Sequence, residues 1–456
     1  MGNFVTLTPK LPYMGLQSKT KNLGLAELIA IALGGMVGGG IFTILGISVA
    51  IIGNVTPIAI IVGGIIASLA AYSYVKLGVY YKDEGATYAF YKKTYPKTPF
   101  LASVIGWYVI FGYISTLALY AYTFSSYAIS STDFSDNIWI RKAIALGIIG
   151  LFTAINLWSV NGMGKIEDIM VYTKLVLLTI ISVVLMQNGD TSFAKFMETM
   201  AVDAERSSIM NILIVSSVTF VAFEGFQLVI NAVNEMKDPD KNIPRAIYSA
   251  IVLAVLIYVV ISMGALFAIP AEKIIENKEY ALASGAGEVL GRLGSTIVIA
   301  GALLATSSAI SGTVFGASRQ LAAIADDGYF PDILTKRTNQ IPKNATLFMA
   351  AFAGVLILIG GLELILEFGS VTFLLVSLLM AIANYKIKDK TKSSAVITML
   401  AIAGLSLGSI LILYYELKNK WEQMAAIVVL YILLTAGAWF YSKRHQKKIQ
   451  HKNGEN

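Results

Sequence analysis

The chain has 456 residues, of which 56% are hydrophobic and only 14% charged, where soluble domains carry about 25% charged residues. This balance excludes an ordinary soluble globular protein and indicates one polytopic membrane domain. There is no cysteine, so disulfides, thiolate nucleophiles and cysteine metal sites are excluded, and both histidines, His445 and His451, lie in the polar C-terminal end.

Hydropathy marks twelve apolar spans. Residues 1–21 read as a polar tail with Lys10, Lys19 and Lys21, without the apolar core of a signal peptide. The first span, about 25–49, contains the run from Leu33 to Phe42, in which Gly34, Gly35, Gly38, Gly39 and Gly40 cluster. Glycine costs a helix roughly 1 kcal/mol relative to alanine, so the helix is expected to break here. In lipid, broken backbone is tolerated only where it lines protein or a water cavity, and a half-helix end offers free N–H groups to an anion. The run therefore reads either as a discontinuous helix that binds a carboxylate or as a glycine surface for close packing of a neighbour.

Asn54 and Pro57 mark a turn, and the second span runs about 57–81. A polar loop with Lys82, Asp83, Glu84, Lys92, Lys93 and Lys97 leads to a third span, about 100–129, rich in tyrosine and serine. Ser131 to Asp136 is a loop, the fourth span is about 142–159, a tight turn from Asn161 to Lys165 closes it, and the fifth is about 167–187. A polar segment, Gln187 to Ser208, joins the halves. The sixth span, about 210–234, is interrupted at Gly225 and followed by a proline-punctuated polar loop from Asn234 to Arg245. The seventh is about 246–269, the loop 270–290 holds some helix, and the eighth is about 293–325. The ninth and tenth, about 345–361 and 364–385, are split by Gly360 and Gly361. The last two run about 394–415 and 421–442, and Lys443 to Asn456 is expected to be a disordered basic tail.

Twelve spans put both termini on one side. With the termini cytoplasmic, about 25 of the 35 lysines and arginines fall in inner segments and about 9 in outer ones, with Lys174 inside a span. That asymmetry predicts cytoplasmic termini in a multi-pass protein of the plasma membrane, and it accounts for the net charge of +7 without nucleic acid. The first span and the sixth, five spans later, are both broken. An odd offset turns the second five-helix unit upside down, and matching broken helices in inverted units point to a transporter with its site at the midplane. The expected organisation is a first repeat at 22–190, a second at 191–386 and helices 11 and 12 at 387–442, between the tails 1–21 and 443–456.

Phe220-Val221-Ala222-Phe223-Glu224-Gly225-Phe226 crosses the sixth break. Once unwound, the carbonyls of Val221, Ala222 and Glu224 would face the cavity and meet the amine of a zwitterion whose carboxylate sits on the first helix. Phe220 and Phe223 would close over the substrate or simply pack. Lys174 stands in an otherwise apolar helix, where a charge costs at least ~2.5 kcal/mol. It reads as a proton carrier facing a cavity, or as a snorkelling side chain that reaches the interface. Glu224 would pair with a substrate cation, take part in proton transfer, or sit protonated between helices. Thr306, Ser307, Ser308 and Ser311 form a hydroxyl cluster that either bonds its own helix or ligands a cation.

These segments together resemble the amino acid–polyamine–organocation superfamily of transporters, with the LeuT fold. Gly35 to Phe42 is similar to its first-helix signature, Phe220 to Phe226 with Asn234 to Pro239 and Ile243 to Ile247 to its sixth-helix signature, and Ser318-Arg319, Ala325 to Gly328 and Pro331 to its eighth-helix exit. Within the superfamily the likeness is nearest to the proton-coupled amino acid transporters called ApcT. The resemblance implies an all-α protein with an inverted five-plus-five repeat and broken helices 1 and 6. It implies that Gly38, Gly39 and Gly40, with Ile41 beside them, bind the substrate α-carboxylate through N–H groups. Val221, Ala222 and Glu224 would hold the α-amino group through carbonyls, between Phe220 and Phe223. It also implies that Lys174 takes the place of a sodium ion and carries the coupling proton, near Gly34, Ser307, Ser308 and Ser311. Glu224 stands where many relatives are uncharged, and an acid there would favour cationic substrates.

The expectation is a secondary amino acid transporter, proton-driven, working by alternating access, with no cofactor and no metal. An exchanger without net proton movement is the nearest alternative, and a channel on the same fold the next. A membrane enzyme is disfavoured because no histidine, cysteine or paired-carboxylate constellation lies in a span, and ATP-driven transport because no nucleotide-binding loop is present.

Overall fold

The computed structural model describes residues 23–158, 163–189, 191–277, 280–338 and 341–454. The N-terminal tail 1–21 and the Asn161-Gly162 turn lie outside them. Among the described residues the only β pairing is two isolated bridges, Leu23 with Met236 and Thr338 with Ile341; everything regular is helical, as expected of a lipid-embedded chain that must satisfy its backbone internally.

The first span is two helices. α1 (Leu25–Met36) opens with the Glu27 carboxylate accepting the Gly24 N–H at 3.0 Å, and α2 (Gly40–Ile52) resumes after Val37, Gly38 and Gly39. Gly53 turns the chain into α3 (Thr56–Tyr81), whose Pro57 sits in the first turn, where a missing N–H costs nothing. The loop that follows contains a short helix, α4 (Ala86–Thr94), before α5 (Pro99–Ile129), α6 (Ile138–Trp158) and α7 (Met163–Asn188). The polar segment between the halves is also helical. α8 (Phe193–Arg206) is capped by Ser192, α9 (Ile209–Val218) by Ser208.

The sixth span breaks earlier than Gly225. α9 gives way to a 3-10 turn over Thr219–Phe223, an extended residue at Glu224, and then α10 (Leu228–Asn231). α11 (Pro239–Ala268) begins seven residues before the expected 246 and carries Pro244 inside its second turn; near a helix start the lost hydrogen bond is cheap. α12 (Ala271–Glu276) precedes α13 (Ala281–Asp326), which Gly291 kinks at φ 67°. α14 (Lys343–Ile359) and α15 (Leu362–Lys386) part at Gly360 and Gly361 as expected, and α16 (Lys388–Thr391) leads to α17 (Ala395–Asn419) and α18 (Trp421–Gly454). The expected disordered tail is thus the end of α18, since Lys443 to Lys452 is mostly lysine, arginine and glutamine and holds no glycine or proline.

Among the described residues ten segments are long and apolar enough to cross a bilayer, and α1 and α14 are shorter apolar helices. Joined to their continuations they make an all-α multi-pass membrane protein of about twelve helices. α1, α5, α11 and α13 carry the core, with Leu28, Ile110, Ile114, Leu117, Ala250 and Ala302 fully buried. α17 and α18 turn apolar faces outward, with Ile410, Ile432 and Leu433 exposed. Against lipid such faces are neutral, so packing and hydrogen bonds rather than hydrophobic burial decide which surfaces meet.

Candidate functional site

The two breaks meet backbone to backbone. Gly225 adopts φ 125°, open to glycine alone, and a Cβ there would lie 2.6 Å from both the carbonyl carbon of Gly35 and the nitrogen of Met36. The sequence places a small, permissive residue on each side of this contact, which lets two interrupted helices touch where ordinary side chains would hold them apart. Gly40, at the far end of the first break, lies against Ala222.

A helix leaves its last four carbonyls without internal partners, and at the end of α1 three other helices supply donors. The Lys174 Nζ of α7 donates to Gly34 O at 3.1 Å and to Val37 O at 2.7 Å. The Tyr120 hydroxyl of α5 donates to Gly35 O at 2.9 Å. The Tyr258 hydroxyl of α11 lies 2.7 Å from Met36 O and also 2.7 Å from Ala222 O on the sixth break. A hydroxyl has one proton, so Tyr258 serves one of these carbonyls at a time and couples the two breaks.

Lys174 is fully buried, with Ser308 Oγ 3.5 Å from its ammonium. The side chain does not snorkel. It ends at the C-terminus of α1, where the helix dipole favours a cation by roughly 0.3–2 kcal/mol. Gly34, Ser308 and Lys174 therefore come together as expected. Ser307 is half-buried, and the buried Ser311 Oγ has no hydrogen-bond partner among the described residues. Thr306 bonds back to Ala302 O at 2.7 Å, the ordinary use of a hydroxyl in a span.

On the other side of the first break, α2 begins at Gly40 with Gly39 as its cap residue, and no side chain caps it. The N–H groups of Gly39, Gly40 and Ile41 thus open the positive end of a helix dipole, while Gly38 N–H turns back to Met36 O at 2.9 Å. Thr43 Oγ1 pairs with Thr123 Oγ1 at 3.2 Å and holds this end against α5. On the sixth break, Val221 O accepts the Glu224 N–H at 3.2 Å, and Phe220 and Phe223 are wholly buried, Phe223 packing 5.4 Å from the Tyr258 ring. Neither phenylalanine faces lipid.

Glu224 is 4% exposed. Gln227 Nε2 donates to its Oε2 and lies 3.3 Å from the Tyr113 hydroxyl, while Gln227 Oε1 accepts the Gly225 N–H at 3.1 Å. Glu224 Oε1 is buried and has no hydrogen-bond partner among the described residues. It borders a cavity of about 10 Å³, room for about one water, lined by Gly35, Tyr113, Thr116, Tyr120, Gly225, Leu228, Thr313 and Phe373. Tyr120, Tyr258, Tyr113 and Gln227 were not singled out by sequence reasoning. Gln227 carried a usable signal, standing three residues after Glu224; the tyrosines carried only their enrichment in the third span.

Hydrogen bonds tie the chain on either side of the two breaks. On one, Leu23 N–H bonds Glu235 O at 3.1 Å and Lys237 N–H bonds Leu23 O at 3.0 Å, tying the start of α1 to the loop after α10. On the other, Asp203 of α8 accepts the Asn54 N–H at 2.9 Å and its Nδ2 at 2.8 Å, beside the turn that ends α2.

A lipid-embedded helical bundle with two interrupted helices face to face beside a small cavity defines a membrane carrier. The amino acid permease family model matches residues 23–452, and the chain belongs to that family. It is 28% identical to an uncharacterized protein of Methanocaldococcus jannaschii over 88% of this chain and 91% of that one. It is 29% identical to the inner membrane transport protein YbaT of Escherichia coli over 69% of this chain and 72% of the relative. It is also 24% identical to the branched-chain amino acid permease BcaP of Bacillus subtilis over 96% of both. The protein is an amino acid transporter of the membrane and not an enzyme.

Proposed function

We propose that the protein is a proton-coupled amino acid symporter of the plasma membrane with cytoplasmic termini. It works by alternating access between two inverted LeuT-type repeats, 22–190 and 191–386, in the manner of ApcT-like carriers. The observation that carries this reading is the buried Lys174 ammonium on the carbonyls of Gly34 and Val37. Protonated, Lys174 pins the end of α1 by charge as well as by hydrogen bonds. Deprotonated, it keeps two N–H donors but loses the charge that the α1 dipole favours, and α1 is released to move. Ser308, with Ser307 and Ser311 on the same helix, offers hydroxyls through which the proton is passed.

The substrate α-carboxylate takes the N–H groups of Gly39 and Gly40, and of Gly38 once it leaves Met36 O, beside Ile41 at the start of α2. Its ammonium takes the carbonyls of Val221, Ala222 and Glu224, displacing the Tyr258 hydroxyl from Ala222 O, with Phe220 and Phe223 as walls. Substrate and proton thus act on the same two breaks, Lys174 from below the first and the amino acid between both. A buried ammonium is equally suited to a permanent structural cation, and on that reading the protein exchanges one amino acid for another without net proton movement.

Uptake of labelled amino acids into proteoliposomes, in sodium-free buffer with an inward proton gradient, separates the two. Symport through Lys174 requires gradient-driven uptake that Lys174→Ala loses. Uptake that ignores the gradient and occurs only into vesicles preloaded with substrate makes the protein an exchanger.

A further inference from the structure

Among the described residues Glu224 Oε1 is a buried carboxyl oxygen without a hydrogen-bond partner, and no lysine or arginine forms an ion pair with Glu224. Its other oxygen has a neutral donor, the Gln227 amide. The titratable groups that face it are phenols, Tyr74 from α3 and Tyr113 and Tyr120 from α5, and phenols stay neutral between about pH 5 and pH 8. From the remaining elements around the cavity come Gly35 of α1, Thr313 of α13 and Phe373 of α15, none of them charged. Lys174 is engaged on Gly34 and Val37. An isolated carboxylate in such a pocket is costly, so Oε1 needs a positive charge from outside the protein. Two can supply it: a proton, or the ammonium or guanidinium end of a substrate side chain.

We propose that Glu224 Oε1 is a single cation subsite filled either by a proton or by the cationic side chain of a lysine-like amino acid, and never by both. The hydroxyls of Tyr113, Thr116, Tyr120 and Thr313 around the cavity suit either occupant, since each both donates and accepts. The α-ammonium position on the Ala222 and Glu224 carbonyls lies on the same stretch of backbone, so a side chain of lysine length turns back toward the carboxyl once the Gly35–Gly225 contact opens. A neutral amino acid then moves with Glu224 protonated, whereas a cationic one moves in place of that proton. The two substrate classes share one backbone site and differ in their proton count.

This inference rests on the amino acid site described above, and its test separates the two. L-lysine and L-alanine binding is measured on the full chain in lipid nanodiscs from about pH 8 down to pH 5. In the wild type, the lysine dissociation constant should rise by up to about tenfold per pH unit as protons compete, while that of alanine stays level or falls. Glu224→Gln, which carries an amide at Oε1, should lower the lysine-to-alanine affinity ratio at least tenfold and flatten its pH dependence. Parallel pH slopes for the two ligands in the wild type overturn the proposal without any variant, as does alanine binding with no lysine binding at any pH, or a ratio within twofold of wild type in Glu224→Gln. Binding of neither amino acid overturns the proposal and the site on which it rests.

Discussion

At the residue scale, the carbonyls of Gly34, Gly35 and Met36 at the end of α1 each meet a donor from another helix, and two residues at the breaks carry clear costs when replaced. Tyr258→Phe removes the hydroxyl shared by Met36 O and Ala222 O. An orphaned buried carbonyl costs about 1–3 kcal/mol, and the coupling between breaks goes with it. Uptake per reconstituted molecule should fall at least about tenfold; uptake equal to wild type would show that the bridge is incidental. Gly225→Ala is harsher. Its φ of 125° and the 2.6 Å approach of a Cβ to Gly35 and Met36 force the breaks apart. The variant should insert in the membrane and yet lose transport, with the deficit read as uptake normalised to protein recovered in vesicles. Full activity in Gly225→Ala would mean that the breaks need not touch.

At the element scale, α15 and α17 are joined where α17 ends. Lys420 Nζ lies 2.6 Å from Glu367 and 3.1 Å from Glu363, next to Glu416, whose two buried oxygens find no donor among the described residues. Burial works to lower the Lys420 pKa, but the carboxylates of Glu367 and Glu363 outweigh it and hold it above the ordinary lysine value. The ammonium of the clamp is therefore kept through the neutral range and is lost only as pH rises past the ordinary lysine pKa, while in acid the clamp weakens as its carboxylates take up protons. Lys420→Met should destabilise by roughly 2 kcal/mol, less than the ~3–5 kcal/mol of a fully buried pair, because Lys420 keeps 20% of its side chain exposed. Melting in detergent should show a lower midpoint for Lys420→Met and an equal or higher one for Glu416→Gln, which brings an amide donor into the cluster. The opposite order would mean that Lys420 is paired for orientation rather than stability.

The helices themselves were largely legible before any packing was known. Long apolar runs bounded by charged loops gave spans within a few residues of α3, α5, α15 and α17. The glycine cluster located the gap between α1 and α2, because five poor helix formers cannot be outvoted by their neighbours. The short helices α4 and α8 escaped notice, since polar segments near an interface look like loops when only hydropathy is read, while α12 falls in the loop expected to hold some helix. The break in the sixth span was expected at Gly225, but its start at Thr219 was not legible: Thr219-Phe220-Val221-Ala222-Phe223 has nothing against helix in its own composition, and tertiary contacts hold it open.

At the scale of the whole molecule, the break region is tied by the Leu23–Met236 pairing at one end and by Asp203 on Asn54 at the other. On the proposed alternating access these ties open in turn. Asp203→Ala removes the carboxylate that accepts from the Asn54 backbone and side chain, and it should raise solvent access from the α8 side. With a cysteine introduced at Phe223 in this cysteine-free chain, labelling by a membrane-impermeant maleimide should quicken several-fold in Asp203→Ala. An unchanged labelling rate would assign Asp203 to the folding of α8 alone.

Composition and local pattern by themselves determined that this chain lives in a bilayer, how many times it crosses, where its first helix fails and that Lys174 is a cation deep within a span. Each of these follows from transfer energies or backbone propensities that a residue carries wherever it is. Only the tertiary structure decided that the Lys174 ammonium rests on Gly34 and Val37, that Tyr120 and Tyr258 take the carbonyls between them, and that Glu224 keeps one oxygen bare beside a water-sized cavity. Those facts depend on which helix ends are brought together across 85 to 222 positions of chain, and a hydrogen bond, unlike hydropathy, exists only when both partners have arrived.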